Sequence, residues 1–153
     1  MRFRITGLDP TSFTTLFTDD ATLAARHGRR VVADETPGYP CRVSLADAQI
    51  GDELVLVTYE HHATTSPYRA SGPIFVRRDA ARYDADVVPP MLRSRTLSVR
   101  AYDASGEMVD AMLCPGTELE PAITRLFDPP AVRYLHVHFA TRGCFACRVD
   151  RVA

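Results

Sequence analysis

The sequence predicts an α+β fold: a curved, largely antiparallel sheet of about six to eight strands, with two helical segments packed on one side. Three observations carry this. Strand-length runs surround short turns at Ala104-Ser-Gly106 and Thr141-Arg-Gly143, which is hairpin spacing. Helical spacing occurs near residues 10–26 and 117–127. The length of 153 residues, 46% hydrophobic and 24% charged, suits a single domain over 1–153 with a substantial core.

Arg2–Thr6 alternates, with Phe3 and Ile5 on one face, as a half-buried strand does. Asp9 followed by Pro10 is a helix start, and Phe13, Leu16 and Phe17 form its apolar stripe. A second helical stretch runs from Asp19 to Arg26, with Gly28 placed for a left-handed cap. Arg29–Ala33 reads as a strand, and 34–41 is a shaped loop rich in Pro and Gly. Glu53–Tyr59 is apolar on both faces, which predicts a strand covered on both sides. It exits through Glu60-His61-His62 into a polar loop at 63–73, and Ile74–Arg77 resumes the strand. The helix at 117–127 starts either at a capping box of Thr117 and Glu120 or at Pro121, and Asp128-Pro-Pro130 ends it.

The last twenty residues hold the densest chemistry: His136, His138, Cys144 and Cys147 within twelve positions. A three-residue hairpin connection pairs Phe139 with Phe145, Val137 with Cys147 and Leu135 with Val149 on an apolar face. The opposite face then carries Tyr134, His136, His138, Cys144, Arg148 and Asp150, which makes Cys147 a buried hydrophobe. A four-ligand zinc site would distort that hairpin, so no metal and no cofactor is assigned.

The charge balance, 18 Lys+Arg against 19 Asp+Glu, forms no basic footprint, so nucleic acid is not an expected partner. No apolar run is long enough to span a membrane as a helix, and the first ten residues lack a secretion pattern. The expected location is the cytoplasm, with the four cysteines as thiols.

The candidate catalytic residues are His138, as acid, base or thiol partner, and Cys144, as a nucleophile activated by His138 or Arg142. The candidate ligand-binding residues are Ser66, Tyr68, Arg69 and Ser71 in the loop with His136 and Arg148 on the hairpin; Arg69 is to hold an anionic group. The leading expectation is a protein, or minor enzyme, that binds a small anionic molecule where the 63–73 loop meets the hairpin. The alternative is a non-catalytic interaction module that dimerises through an edge strand or the hairpin. Whether it is an enzyme is left open.

Three segments, Pro37-Gly-Tyr-Pro-Cys-Arg42, Ser66-Pro-Tyr-Arg-Ala-Ser-Gly-Pro-Ile-Phe-Val76 and Arg142-Gly-Cys-Phe-Ala-Cys-Arg-Val149, resemble the bacterial domain-of-unknown-function family 1203. The resemblance covers essentially the whole chain. It implies a small stand-alone bacterial protein and assigns no activity to any residue.

Overall fold

The computed structural model describes residues 1–153. Nine strands form two antiparallel sheets. The larger contains β1 (Arg2–Thr6), β5 (Asp84–Ala85), β6 (Thr96–Tyr102), β7 (Met108–Pro115), β8 (Tyr134–Phe139) and β9 (Phe145–Val152). Its order is β5-β1-β9-β8-β6-β7. The smaller contains β2 (Arg29–Val32), β3 (Glu53–His62) and β4 (Ala70–Arg77), in that order. The α+β class and the antiparallel pairing hold, and the strands divide between two sheets.

Helices cover both sheets. The expected 117–127 segment is a 3-10 turn, Gly116–Glu118, followed by α3 (Leu119–Leu126). Leu119, Ala122, Ile123 and Leu126 fall on one side of it and bury against Leu97, Val99, Leu135 and Val137 of the large sheet. Glu120 does not close a capping box; it pairs with Arg93 of the short helix α2 (Pro90–Arg93). The amino-terminal helical residues are 3-10 turns at Pro10–Ser12 and Thr14–Phe17, then α1 (Asp20–Ala25), and they pack on the small sheet. Phe13, Leu16 and Leu23 meet Val55, Val57 and Ile74 there. Asp9 caps as expected, accepting from Thr11 N; Asp19, expected as the first helical residue, is instead the cap of α1, accepting from Ala21 N and Thr22 N. The left-handed position after α1 is His27 (φ 53), not Gly28. Gly28 is needed for space, because a Cβ there would lie 2.6 Å from Leu23 Cδ1 and Val57 Cγ1.

Both predicted hairpins form. Gly106 and Gly143 take the left-handed conformations that their turns require (φ 80 and 81). In the terminal hairpin, Tyr134↔Asp150, Leu135↔Val149, His136↔Arg148 and Val137↔Cys147 pair in the expected register. The register then shifts, and His138 stands opposite Phe145 instead of Phe139 doing so. Ala146 is the extra residue of a bulge, which sends Phe145 to the histidine face while Ala146 and Cys147 both enter the helix-side core.

The bulge answers the second sheet. The polar face of the hairpin is covered by the end of β3, and Phe145 stacks on His61 (centroids 5.2 Å apart, planes at 9°). His136 and His138 are therefore buried, at 3% and 1% exposure.

Candidate functional site

Two groups of chemically capable side chains result, one closed and one open. The closed group lies between the sheets. β3 brings His61 and His62, β8 brings Tyr134, His136 and His138, β6 brings Tyr102, and β9 brings Phe145. Their rings contact edge to face: His61 lies 5.0 Å from His138 at 78°, and His62 lies 5.2 Å from His136 at 83°.

Hydrogen bonds fix two tautomers. A carbonyl only accepts, so His62 Nδ1 donates to Tyr68 O (2.9 Å), and Nε2 accepts from the Tyr134 hydroxyl (2.6 Å). His138 Nδ1 likewise donates to Gly143 O (2.9 Å), which leaves Nε2 as a bare acceptor. That nitrogen, with His61 Nδ1 and His136 Nδ1, is buried without a hydrogen-bond partner. Burial, followed by the charge of neighbouring His62, holds His61 near pKa 4 and, with the other imidazoles, His136 near 2. Burial also pushes His138 down to about 3 despite its bond to Gly143. His61, His136 and His138 are therefore neutral packing groups at neutral pH, and no three His, Cys, Asp or Glu side chains converge to hold a metal ion.

This geometry separates the expected catalytic pair. His138 is turned into the ring cluster, its one hydrogen bond goes to Gly143, and its pKa lies far from the range of a base poised near neutrality. Cys144 opens to a different place and has no hydrogen bond from His138. Of the expected loop residues, Tyr68 reaches the histidine layer through its carbonyl alone. Ser66 Oγ donates to Gly106 O and accepts from Tyr68 N, so it holds the loop shut. Arg69 faces solvent, 63% exposed, and pairs with Glu60 at 2.9 Å. Ser71 is exposed on β4. Arg148 lies over the Tyr134 ring at 4.2 Å and pairs with Asp150 at 2.7 Å. The loop and the histidine face meet where His62 Nδ1 donates to Tyr68 O, and neither Arg69 nor His136 lines the open cleft.

The open group is a cleft of about 740 Å³ at the tip of the terminal hairpin. The hairpin supplies Phe139, Thr141, Arg142 and Cys144, whereas the 63–73 segment supplies only Pro73. Tyr39 and Arg42 come from the Pro37-Gly-Tyr-Pro-Cys-Arg42 loop, and Arg95 from the approach to β6. Cys144 is the one cysteine of four that is not buried.

Arg42 dominates this cleft. It is 3% exposed, and Nε donates to Phe145 O (2.8 Å) and Nη1 to Pro40 O (2.6 Å). Its guanidinium lies 4.9 Å over the Phe139 ring. It has no carboxylate partner, because Asp47 is engaged by Arg95 through two bonds of 2.6 and 3.0 Å. Burial lowers its pKa to about 10, the Cys144 and Cys41 sulfurs offsetting only part of that penalty. Sequence reasoning singled out the loop that holds Arg42 but not the residue. The available signal was an arginine following a rigid Pro-Gly-Tyr-Pro turn; nothing local shows that its partners are carbonyls.

A family model for proteins of unknown function, DUF1203, matches residues 38–151 of the chain. The chain belongs to this family. The matched span of this DUF1203 member includes Arg42, all four histidines of the layer and Cys144. Among curated proteins and among solved structures, none matches the chain.

Proposed function

We propose that this DUF1203 protein binds a small anionic molecule in the cleft that Arg42, Arg142 and Cys144 line. Arg42 carries the reading. A guanidinium withdrawn from water without a carboxylate costs several kcal/mol, and a bound anion recovers part of that cost. Its Nε and Nη1 are already held by carbonyls, so the Nη2 end meets a ligand with little further loss of freedom. The cleft volume suits a small-molecule site. This retains the expected ligand class and moves the site from Arg69 and His136 to Arg42, with the hairpin tip common to both. Cys144 is a wall residue here, and no catalytic step is assigned to it or to His138.

The setting belongs to the same proposal: a bacterial cytoplasm, which suits four free cysteines. No helix of the chain is long and apolar enough to cross a membrane.

Calorimetric titration with inorganic phosphate, sulfate and short mono- and dicarboxylates tests the site. At least one should bind the wild type, and Arg42→Met should weaken it tenfold or more. Equal binding by the variant would remove the proposal.

A second reading, a homodimer through an edge strand, draws on β7, where Val109 and Leu113 are 49% and 68% exposed. Asp110 Oδ1 accepts from Ala111 N at 2.8 Å and so blunts that edge. Light scattering on wild type and Leu113→Glu decides it: a dimer that Leu113→Glu dissociates supports the edge contact, and a wild-type monomer ends it.

A further inference from the structure

Resting on the anion reading above, we infer that the ligand is a monocarboxylate with a flat aromatic body. The first ground is charge. Three guanidiniums line the cleft, those of Arg42, Arg95 and Arg142. Asp47 neutralises Arg95 through its bidentate pair, and among the lining residues Glu35 sets one negative charge against those of Arg42 and Arg142. One net positive charge is left over. A singly charged ligand balances it, whereas a phosphate dianion or a dicarboxylate brings an extra negative charge into a cleft that already holds Glu35.

The second ground is shape. Arg42 cannot turn freely: two carbonyls hold Nε and Nη1, and its guanidinium carbon lies 4.9 Å over the Phe139 ring. With Nε and Nη1 engaged, the Nη2 end is what remains for a ligand, and it is held beside the Phe139 ring. Arg95 covers Phe139 as well, with its guanidinium carbon 5.1 Å from the ring centroid.

The third ground is the aromatic lining. Tyr39 and Phe75 stand 5.2 Å apart with planes tilted by 59°, both half-buried, beside Leu56 and Pro73. Tyr39 is held in place, its hydroxyl donating to Asp34 Oδ1 at 2.7 Å. Such a wall leaves apolar ring surface in water next to a preset cation, and a ligand with a ring on one end and a carboxylate on the other covers both. The Cys144 sulfur, on the cation side, adds a soft contact to a ring edge.

The full chain is titrated calorimetrically with benzoate, phenylacetate and cinnamate, and in parallel with acetate, succinate and inorganic phosphate. One of the arenecarboxylates should bind at least tenfold more tightly than acetate, phosphate or succinate. Arg42→Met should abolish that binding. Phe75→Leu, which keeps apolar volume but removes the ring, should reduce the preference over acetate several-fold while circular dichroism stays unchanged. If phosphate or succinate binds most tightly and Arg42→Met loses it, the aromatic monocarboxylate is overturned and the anion site stands. If none of the six binds the wild type, both fall. An arenecarboxylate preference that Phe75→Leu leaves intact also overturns the inference, because the ring wall is then not what reads the ligand.

Discussion

The histidine layer and the arginine cleft lie on either side of one hairpin, and each withdraws ionisable nitrogen from water by a different means. In the layer, His61, His136 and His138 give up their charge: burial and mutual repulsion hold them neutral, and the rings pack edge to face. In the cleft, Arg42 keeps its charge, since guanidinium has no accessible neutral form, and spends its donors on the carbonyls of Phe145 and Pro40. The lesson is that depth of burial does not locate the ligand site. His138 is more deeply buried than Arg42, yet it is Arg42 that keeps a charge without a carboxylate partner in the lining of the open cleft.

Acid should break the layer first and produce the largest effect. The ordinary histidine pKa is about 6.5. Those of His136 and His138 in the fold lie near 2 and 3, with Arg148, Arg100 and Arg42 adding unfavourable charge. Above pH 6.5 both folded and unfolded states are neutral at these positions and stability is complete. As the pH falls below that value the unfolded chain takes up protons that the folded chain refuses. Stability then drops by up to ~1.4 kcal/mol per pH unit for each of the two residues, about 5 kcal/mol between pH 6 and 4. Urea denaturation across that range measures it, and a flat profile would show that the layer is not closed.

Thiol chemistry sharpens the other side of the contrast. Cys144 is partly exposed in the cleft, while Cys41, Cys114 and Cys147 are buried. Native protein should release one equivalent of chromophore with a disulfide reagent, with the other three thiols reacting ~100-fold more slowly until denaturant is added. Two or more fast thiols would contradict the burial pattern.

Tyr134→Phe acts on the seam between loop and layer. It removes the donor to His62 Nε2 and leaves that nitrogen without a partner. The expected loss is ~1–2 kcal/mol in thermal or urea unfolding. Arg69→Ala should be the mildest change. Its partner Glu60 is also solvent-accessible, so stability should move by less than about 1 kcal/mol, and anion binding at the cleft should stay as it was. A loss of binding in Arg69→Ala would return the site to the 63–73 loop.

Much of the fold was legible in the sequence. The amphipathic spacing of Leu119, Ile123 and Leu126, the aspartate cap at Asp9, and the turns at Gly106 and Gly143 all follow from short-range rules. The hairpin register was legible as far as Val137 and Cys147. It failed one residue later because the bulge at Ala146 serves the stacking of Phe145 on His61, a residue far away in the chain. The site was less legible for the same reason. His138 and Cys144 are close in sequence, yet that bulged hairpin points one into the layer and the other into the cleft.

By itself the sequence determined which residues carry chemistry and which local elements hold them, since periodicity, capping and turn geometry act over a few residues. Only the tertiary structure decided which of those side chains stay charged and open. The small sheet lies over the histidine face and closes it, and Asp47, a carboxylate near Arg42, is already taken by Arg95. Protonation and pairing depend on neighbours brought together from 48 and 103 residues apart, as with Arg95 to Asp47 and Arg42 to Phe145, and no local pattern encodes them.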